Sequence, residues 1–185
     1  MRTLLFLLTI ITCTTLHAQE KPRFVLPNWD SINQTILATD YVPFDITTHS
    51  GQKLNNNAIK GKVTFFSFWA KSCKPCIQEF DELNELYSNF SNDTNMVFVA
   101  ITYDKKEDIA DVLEKHKVTF PIASVPSVQA MHGMNYGRGM PSAVLIDKQG
   151  KVRRVGYTSI GSTNNKTTLT VDSATRLFNR YLEEQ

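Results

Sequence analysis

Cysteine is scarce in this chain: only three occur among 185 residues, at positions 13, 73 and 76. Cys13 lies inside an N-terminal apolar run, so Cys73 and Cys76 are the one pair left to the rest of the chain. A scaffold held together by several disulfides is therefore excluded. A structural zinc site is disfavoured as well, because such a site takes about four ligands and the histidines are scattered along the sequence.

Neither sign of charge dominates, since 20 Lys and Arg residues stand against 18 Asp and Glu residues. A balance this even gives no basic footprint for nucleic acid or for an anionic membrane surface. Long apolar runs are missing too. The N-terminal apolar stretch, Leu4–Ile11, is much shorter than the about 20 residues that a bilayer-spanning helix needs.

The first 18 residues have the pattern of a secretory signal peptide. Arg2 gives a positive start, the apolar stretch follows, and Ala18 precedes a polar segment, so we expect cleavage after Ala18. Two alternatives stay open: acylation of Cys13 after cleavage, as in a lipoprotein, and an uncleaved signal that tethers the chain to the membrane. We expect an exported protein of the bacterial periplasm, a compartment in which disulfides form and persist.

Hydrophobic periodicity divides the rest into a polar lead-in, residues 19–41, and one domain, residues 42–185. The predicted elements are, in order, a hairpin over 44–54, a strand over 63–69, a helix over 73–90, a strand over 96–101, a helix over 105–116, a short extended piece over 120–122, a helical turn near 128–131, a hairpin over 142–155 and a helix over 169–182. This order predicts an α/β domain with a mixed central sheet flanked by helices and an N-terminal β-hairpin extension.

The C-x-x-C tetrapeptide at residues 73–76 follows the aromatic strand and begins a helix. Cys73 falls at the helix N-terminus, where unpaired backbone N–H groups favour a thiolate, and Lys71 and Lys74 act in the same direction. Cys76 lies one turn further in, which suits a resolving thiol. The pair can therefore cycle between dithiol and disulfide, with Cys73 as the nucleophile.

Further short pieces accompany this motif in a fixed order: Gly61-Lys62, Phe68-Trp69-Ala70, Cys73-Lys74-Pro75-Cys76, Met140-Pro141 and Leu145-Ile146-Asp147-Lys148-Gln149-Gly150-Lys151. Together, over about residues 42–183, they resemble the TlpA/ResA-like branch of the thioredoxin superfamily. The resemblance implies a thioredoxin fold.

The resemblance also implies roles for single residues. Pro141 falls on the family's cis-proline, which faces the redox pair, and the main chain of Met140 would pair with a substrate. Glu79 falls on a carboxylate position near the second cysteine, with a role in proton handling. The remaining substrate-binding candidates are Trp69, Lys74 and Pro75.

The sequence thus predicts an exported thiol-disulfide oxidoreductase whose only redox group is the Cys73/Cys76 disulfide, with neither a metal nor another cofactor. The expected partners are exported proteins that carry disulfides or thiols, a class to which the resemblance adds apocytochromes, and a membrane electron donor. A reductase is favoured. The alternatives are an oxidant or isomerase of the same fold, a peroxiredoxin-type peroxidase, and a binding module with a permanent disulfide.

Overall fold

The computed structural model describes residues 29–158 and 169–184, with the side chains of residues 29–32 left out. The predicted signal peptide therefore lies outside the described residues. The elements are α1 Trp29–Ile36, β1 Asp45–Thr47, β2 Lys53–Asn55, β3 Val63–Phe68, α2 Lys74–Gln78, α3 Phe80–Ser88, β4 Met96–Thr102, α4 Lys106–Lys115, β5 Ile122–Ser124, α5 Val128–Met134, β6 Ser142–Ile146, β7 Val152–Tyr157 and α6 Val171–Glu183.

The central sheet has five strands in the order β5-β4-β3-β6-β7. Strands β3, β4 and β5 run parallel. On the other side of β3, β6 runs antiparallel to β3, and β7 runs antiparallel to β6. All six residues of β3 and all seven of β4 are buried, as expected for central strands covered on both faces. The predicted mixed sheet flanked by helices is confirmed.

Helices cover the two faces of the sheet unequally. On the first face α3, α4 and α6 bury an apolar cluster that includes Phe65, Phe98 and Phe178. On the second face α5 and the N-terminal hairpin pack against Phe66 and Phe68. Neighbouring residues of β3 point to opposite faces, so its aromatic side chains supply both cores.

The predicted N-terminal hairpin is present as β1 and β2, a separate two-stranded sheet. It is joined to the edge strand β5 by a bridge between Thr48 and Ala123 and by the His49 N–H, which donates to the carbonyl of Ile122 at 2.8 Å. At the opposite edge, a bridge between Asp40 and Lys151 covers the start of β7. Segments before β3 therefore contact both edge strands.

The turn between β6 and β7 is built around Asp147, which is 1% exposed. Its carboxylate accepts the N–H groups of Gln149 and Lys151 at 2.9 and 2.8 Å, and Arg153 Nε donates to it at 2.5 Å. Gly150 has a φ of +79°, a left-handed conformation that favours glycine.

The pairing of β6 with β7 contains one irregularity. Leu145 lies opposite Arg154 whereas Ile146 lies opposite Val152, so the register shifts between these two pairs. Such a bulge places one extra residue, here Arg153, on one strand.

Two helical features differ from the sequence prediction. Helix α1, inside the segment predicted as a lead-in, was missed because eight residues are too few for a strong periodic signal. The helix predicted over 73–90 is instead two helices, α2 and α3, which meet at Glu79. Among the described helices, none is long and apolar enough to cross a membrane.

Phe178→Ala should remove about 3–5 kcal/mol from the free energy of unfolding, measured by urea denaturation, because it leaves a cavity in the core. Phe178 is 0% exposed and its ring packs on Phe65 and Phe90, with centroids at 5.0 and 5.4 Å. Asn179→Ala, at an exposed position of the same helix, is the control and should change stability by less than about 0.5 kcal/mol. Equal losses in the two variants would contradict the packing described for α6.

Candidate active site

Cys73 and Cys76 form a disulfide at the start of α2, with an S–S distance of 2.01 Å and Cα atoms 5.3 Å apart. Strand β3 ends at Phe68, and five residues later Cys73 occupies the position before the first turn of α2. The cysteine pair therefore lies at a strand-to-helix transition, as the sequence predicts.

The helix begins here because the backbone groups of its first turn find partners. Cys73 has φ −91° and ψ 88°, outside the helical region, and its Sγ accepts the N–H of Cys76 at 3.3 Å. Pro75 lies in the first turn, where its missing N–H removes no helical hydrogen bond.

The two sulfurs differ in accessibility. Cys73 is half-buried, whereas Cys76 is 2% exposed and belongs to the apolar core. Attack by a partner on the pair, or by the pair on a partner, is therefore open to Cys73 and sterically closed to Cys76. The assignments of nucleophile and resolving thiol stay predictions, and this asymmetry supports them.

The register of β3 with β6 brings Pro141 to the pair. Phe68 lies opposite Ser142 in an antiparallel ladder, so the next residue of one strand, Trp69, stands beside the previous residue of the other, Pro141. The peptide bond between Met140 and Pro141 is cis, as predicted. Pro141 is buried and Met140 half-buried, at the same end of the sheet as the disulfide.

The other predicted substrate contacts separate into two groups. Lys74 and Pro75 are exposed beside Cys73, where a partner has access to them. Trp69 is 1% exposed and its ring packs edge-on against Phe80, with centroids 5.2 Å apart. The position of Trp69 supports a packing role beneath the site, and direct substrate contact by its ring stays a prediction that the burial does not favour.

Glu79 occupies the joint between α2 and α3. Its backbone N–H donates to the carbonyl of Cys76 at 3.3 Å, and its own carbonyl accepts the N–H of Leu83, the first bond of α3. The side chain is 6% exposed, and its Oε2 accepts the hydroxyl of Thr158 at 2.8 Å. A carboxyl group is thus buried one helical turn beyond Cys76, although its role in proton handling stays a prediction.

Charge around the loop before Cys73 is closely paired. Lys71 Nζ lies 2.9 Å from both Asp108 Oδ1 and Asp111 Oδ2, on α4. The backbone N–H of Lys71 donates to Asp104 Oδ2 at 2.5 Å, and Thr102 donates to the same oxygen at 2.9 Å. Because aspartates match its charge, Lys71 favours a Cys73 thiolate less than the sequence suggests.

The same contacts shift the pKa values of the charged groups. Hydrogen bonds to Asp111 and then to Asp108 raise the pKa of Lys71, so this ammonium group stays charged. Hydrogen bonds from Lys115 and then from Lys71 lower the pKa of Asp111 to about 2. The contribution of Asp111 to stability is therefore present above its ordinary pKa of 3.8 and is lost as the pH falls toward 2.

Sequence reasoning missed two residues that the fold brings to the site. Thr158, 79 positions after Glu79, directly follows β7 and is 0% exposed. Asp104 fixes the loop from the end of β4. Local sequence carries no signal for either, because each contact depends on strand order.

Among the described residues, no three His, Cys, Asp or Glu side chains group as metal ligands.

The sequence matches the AhpC/TSA family over residues 37–155. The chain belongs to this family. The match covers β1 to β6 and most of β7, and so includes the redox pair and the cis-proline.

Curated relatives carry the same kind of name. The chain is 33% identical to "Thiol-disulfide oxidoreductase ResA" of Bacillus thuringiensis over 111 residues, which are 59% of this chain and 62% of the relative. It is 30% identical to the protein of that name from Geobacillus kaustophilus over 118 residues, 64% of this chain and 66% of the relative. The chain thus matches less than two thirds of the length of these relatives.

Solved structures identify the fold. The thioredoxin domain of a thiol-disulfide oxidoreductase from Bacteroides vulgatus superposes with a TM-score of 0.63 at 19% identity, covering 80% of this chain and 98% of that domain. A thiol:disulfide interchange protein of the thioredoxin family from Chlorobium tepidum superposes with a TM-score of 0.60 at 18% identity, covering 78% and 97%. The predicted thioredoxin fold is confirmed.

Thr158→Val should lower the free energy of unfolding by about 1–3 kcal/mol, because the buried Glu79 carboxyl loses a hydrogen bond without gaining water. The chain offers a matched control in Thr64, which is 0% exposed and whose Oγ1 has no hydrogen-bond partner in the described part of the chain. Thr64→Val should be neutral or stabilising. If urea denaturation shows the same change for both, the Thr158 hydrogen bond does not stabilise the fold.

Proposed function

We propose that this protein is an exported thiol-disulfide oxidoreductase that reduces disulfides of exported proteins through Cys73 and Cys76. The observation that carries the proposal is the disulfide itself, at a helix start, with one accessible and one buried sulfur and a cis-proline beside it. The names of the relatives agree with this chemistry. The apolar, positively charged N-terminal segment supports export.

The reaction uses only the two thiols. In the reduced protein the Cys73 thiolate attacks one sulfur of a partner's disulfide, and the other partner sulfur leaves as a thiolate. Cys76 then attacks Cys73 Sγ, which releases the partner's second thiol and closes the Cys73–Cys76 disulfide. Two electrons pass to the partner, and the two thiol protons of the pair end on the partner's thiols. A membrane electron donor must then reduce the pair again.

Two features near the pair support the reducing direction, against the helix N-terminus and Lys74, which favour a Cys73 thiolate. A low thiolate pKa stabilises the dithiol state and makes the disulfide a strong oxidant. Here Lys71 is neutralised by aspartates, and the buried carboxyl of Glu79 lies one turn from Cys76. Both features give thiolates less support than the sequence predicts. The disulfide is then the preferred state of the pair, as in a reductant.

We include apocytochromes before haem attachment among the partners, since the resemblance to TlpA/ResA-like proteins implies that substrate class. The exposed Lys74 and Pro75 and the half-buried Met140 are the residues proposed to contact a partner near Cys73. Oxidant, isomerase, peroxidase and binding module remain distinct outcomes of the experiments below.

The reduced chain should accelerate the reduction of insulin by dithiothreitol, measured as turbidity of the precipitating B chain. Cys73→Ala should abolish the acceleration, whereas Cys76→Ala should accumulate a mixed disulfide, detected by mass spectrometry. Cys13→Ala in the full chain is the cysteine control and should act like the unchanged protein. Full activity of Cys73→Ala would reject the exchange mechanism. Rapid peroxide consumption without insulin reduction would instead favour the peroxidase.

The reduction potential of the pair, measured by equilibration with glutathione, should lie near the about −270 mV of thioredoxin rather than the about −120 mV of DsbA. Glu79→Gln should make the potential less negative, because loss of the buried acid favours the thiolate state. Each 1.4 kcal/mol by which the reduced state gains over the disulfide corresponds to about 30 mV. Glu85→Gln, exposed on α3, is the charge-matched control. A potential near −120 mV would identify an oxidant, and an unchanged potential in Glu79→Gln would remove Glu79 from the mechanism.

A further inference from the structure

Arg138 is a buried charged residue in the segment that leads to the cis-proline. Its side chain is 2% exposed, and it lies three residues before Pro141. A guanidinium group keeps its charge in proteins, so burying it is costly unless polar groups accept its hydrogen bonds. The acceptors around Arg138 therefore act as fixed points for the chain that enters the active site.

One acceptor for Arg138 comes from helix α1, 105 positions earlier in the chain. Arg138 Nη2 donates to Asn33 Oδ1 at 2.5 Å, and Asn33 is half-buried. Hydrogen bonds from a charged donor are shorter and stronger than neutral ones. Helix α1 ends at Ile36 and the family match begins at residue 37, so this contact joins a part of the chain outside the match to the active-site region.

The chain that follows α1 is fixed to the domain, so Asn33 is carried on an anchored segment. The N–H of Ala38 donates to the carbonyl of Val152, in β7, at 2.8 Å. Tyr41 is buried, and its hydroxyl donates to the carbonyl of Met134, the last residue of α5, at 2.9 Å. The residues from α1 to Tyr41 therefore contact both the sheet and the helix that precedes Arg138.

Asn135 connects Arg138 to the strand that follows the cis-proline. It is 0% exposed, and its Nδ2 donates to the carbonyl of Arg138 at 2.8 Å and to Ser142 Oγ at 3.2 Å. The two acceptors lie on either side of residues 139–141, which contain the cis peptide bond. These three residues are thus held between two points, of which Arg138 is the first.

We infer that helix α1 positions the cis-proline segment for a partner protein through the contact of Asn33 with Arg138. The inference rests on the proposed function, because that function requires the main chain of Met140 to pair with a polypeptide. Loss of the Asn33 oxygen removes an acceptor from a buried charge, so Arg138 must shift or admit water. A shift of Arg138 displaces one of the two points that hold Met140. Asn33 and Arg138 are therefore positioning residues, and neither reacts with the partner.

Two substrates test the inference in the variant Asn33→Ala. Insulin offers a polypeptide backbone to Met140, whereas the small aromatic disulfide dithiobis(nitrobenzoate) has none and needs only access to Cys73. Every protein in the comparison carries Cys13→Ala, so that only the pair reacts. The pre-reduced full chain is mixed with each substrate, and the second-order rate constant is measured by alkylation of the remaining protein thiols or by absorbance of the released aromatic thiolate. We expect Asn33→Ala to lower the rate constant for insulin about tenfold, which corresponds to 1.4 kcal/mol, and to leave that for the aromatic disulfide unchanged.

Two further variants separate the hydrogen bond from other effects of the substitution. Asn33→Asp keeps an oxygen acceptor for Arg138 and should retain the rate constant for insulin. Gln34→Ala, at the neighbouring exposed position of α1, is the matched control and should leave both rate constants unchanged. Thermal unfolding of each variant shows that the comparison is between folded proteins.

The outcomes separate the two proposals. If the parent protein with Cys13→Ala does not reduce insulin, the proposed function fails. If Asn33→Ala keeps the rate constant for insulin, or loses both rate constants to the same degree, exchange activity stands and the positioning role of α1 is wrong. An Asn33→Asp variant as slow as Asn33→Ala would likewise overturn the inference, because the acceptor oxygen would not matter. So would an equal loss in Gln34→Ala, because the effect would not depend on the contact with Arg138.

Discussion

The pairing of Phe68 with Ser142 is the contact on which the site depends. It sets where the chain leaves β3 toward Cys73 and where the opposite chain enters β6 from Pro141. A slip of one residue would turn every side chain of β6 to the other face of the sheet and would separate Pro141 from Trp69. The residues of β6 are buried on both faces, so a slip would force each side chain into the opposite core, where its size and shape do not match the packing.

Burial divides the site into a fixed interior and an accessible rim. Cys76, Glu79 and Trp69 lie inside, and their positions follow from core packing. Cys73 and Lys74 lie at the rim, within reach of a polypeptide. Thiol exchange needs both the interior and the rim, because a partner must reach the Cys73 sulfur while the Cys76 sulfur stays inaccessible to it. The half-buried and buried sulfurs of one short helix meet this need.

Sequence reasoning predicted the local parts of this arrangement and missed the nonlocal ones. The cis-proline was expected from the resemblance to TlpA/ResA-like proteins, and the C-x-x-C motif and the strand before it are each visible in a few adjacent residues. The break at Glu79 is not, because the apolar spacing of α3 continues that of α2 without interruption. Its partner Thr158 follows β7, which lies two strands away from β3 in the sheet, and only the full topology brings Glu79 and Thr158 together. Pairing of Lys71 with α4 was missed for the same reason.

The bulge near Arg153 has a consequence for how the length of β7 can change. Side chains alternate along a strand, so the extra residue decides which of the last two side chains enters the core and which reaches the surface. Removing or adding one residue between Val152 and Tyr157 would exchange inside and outside, turning a tyrosine ring toward Glu79 and a threonine toward the rim. Homologous chains that keep this architecture should therefore vary β7 in composition far more freely than in length.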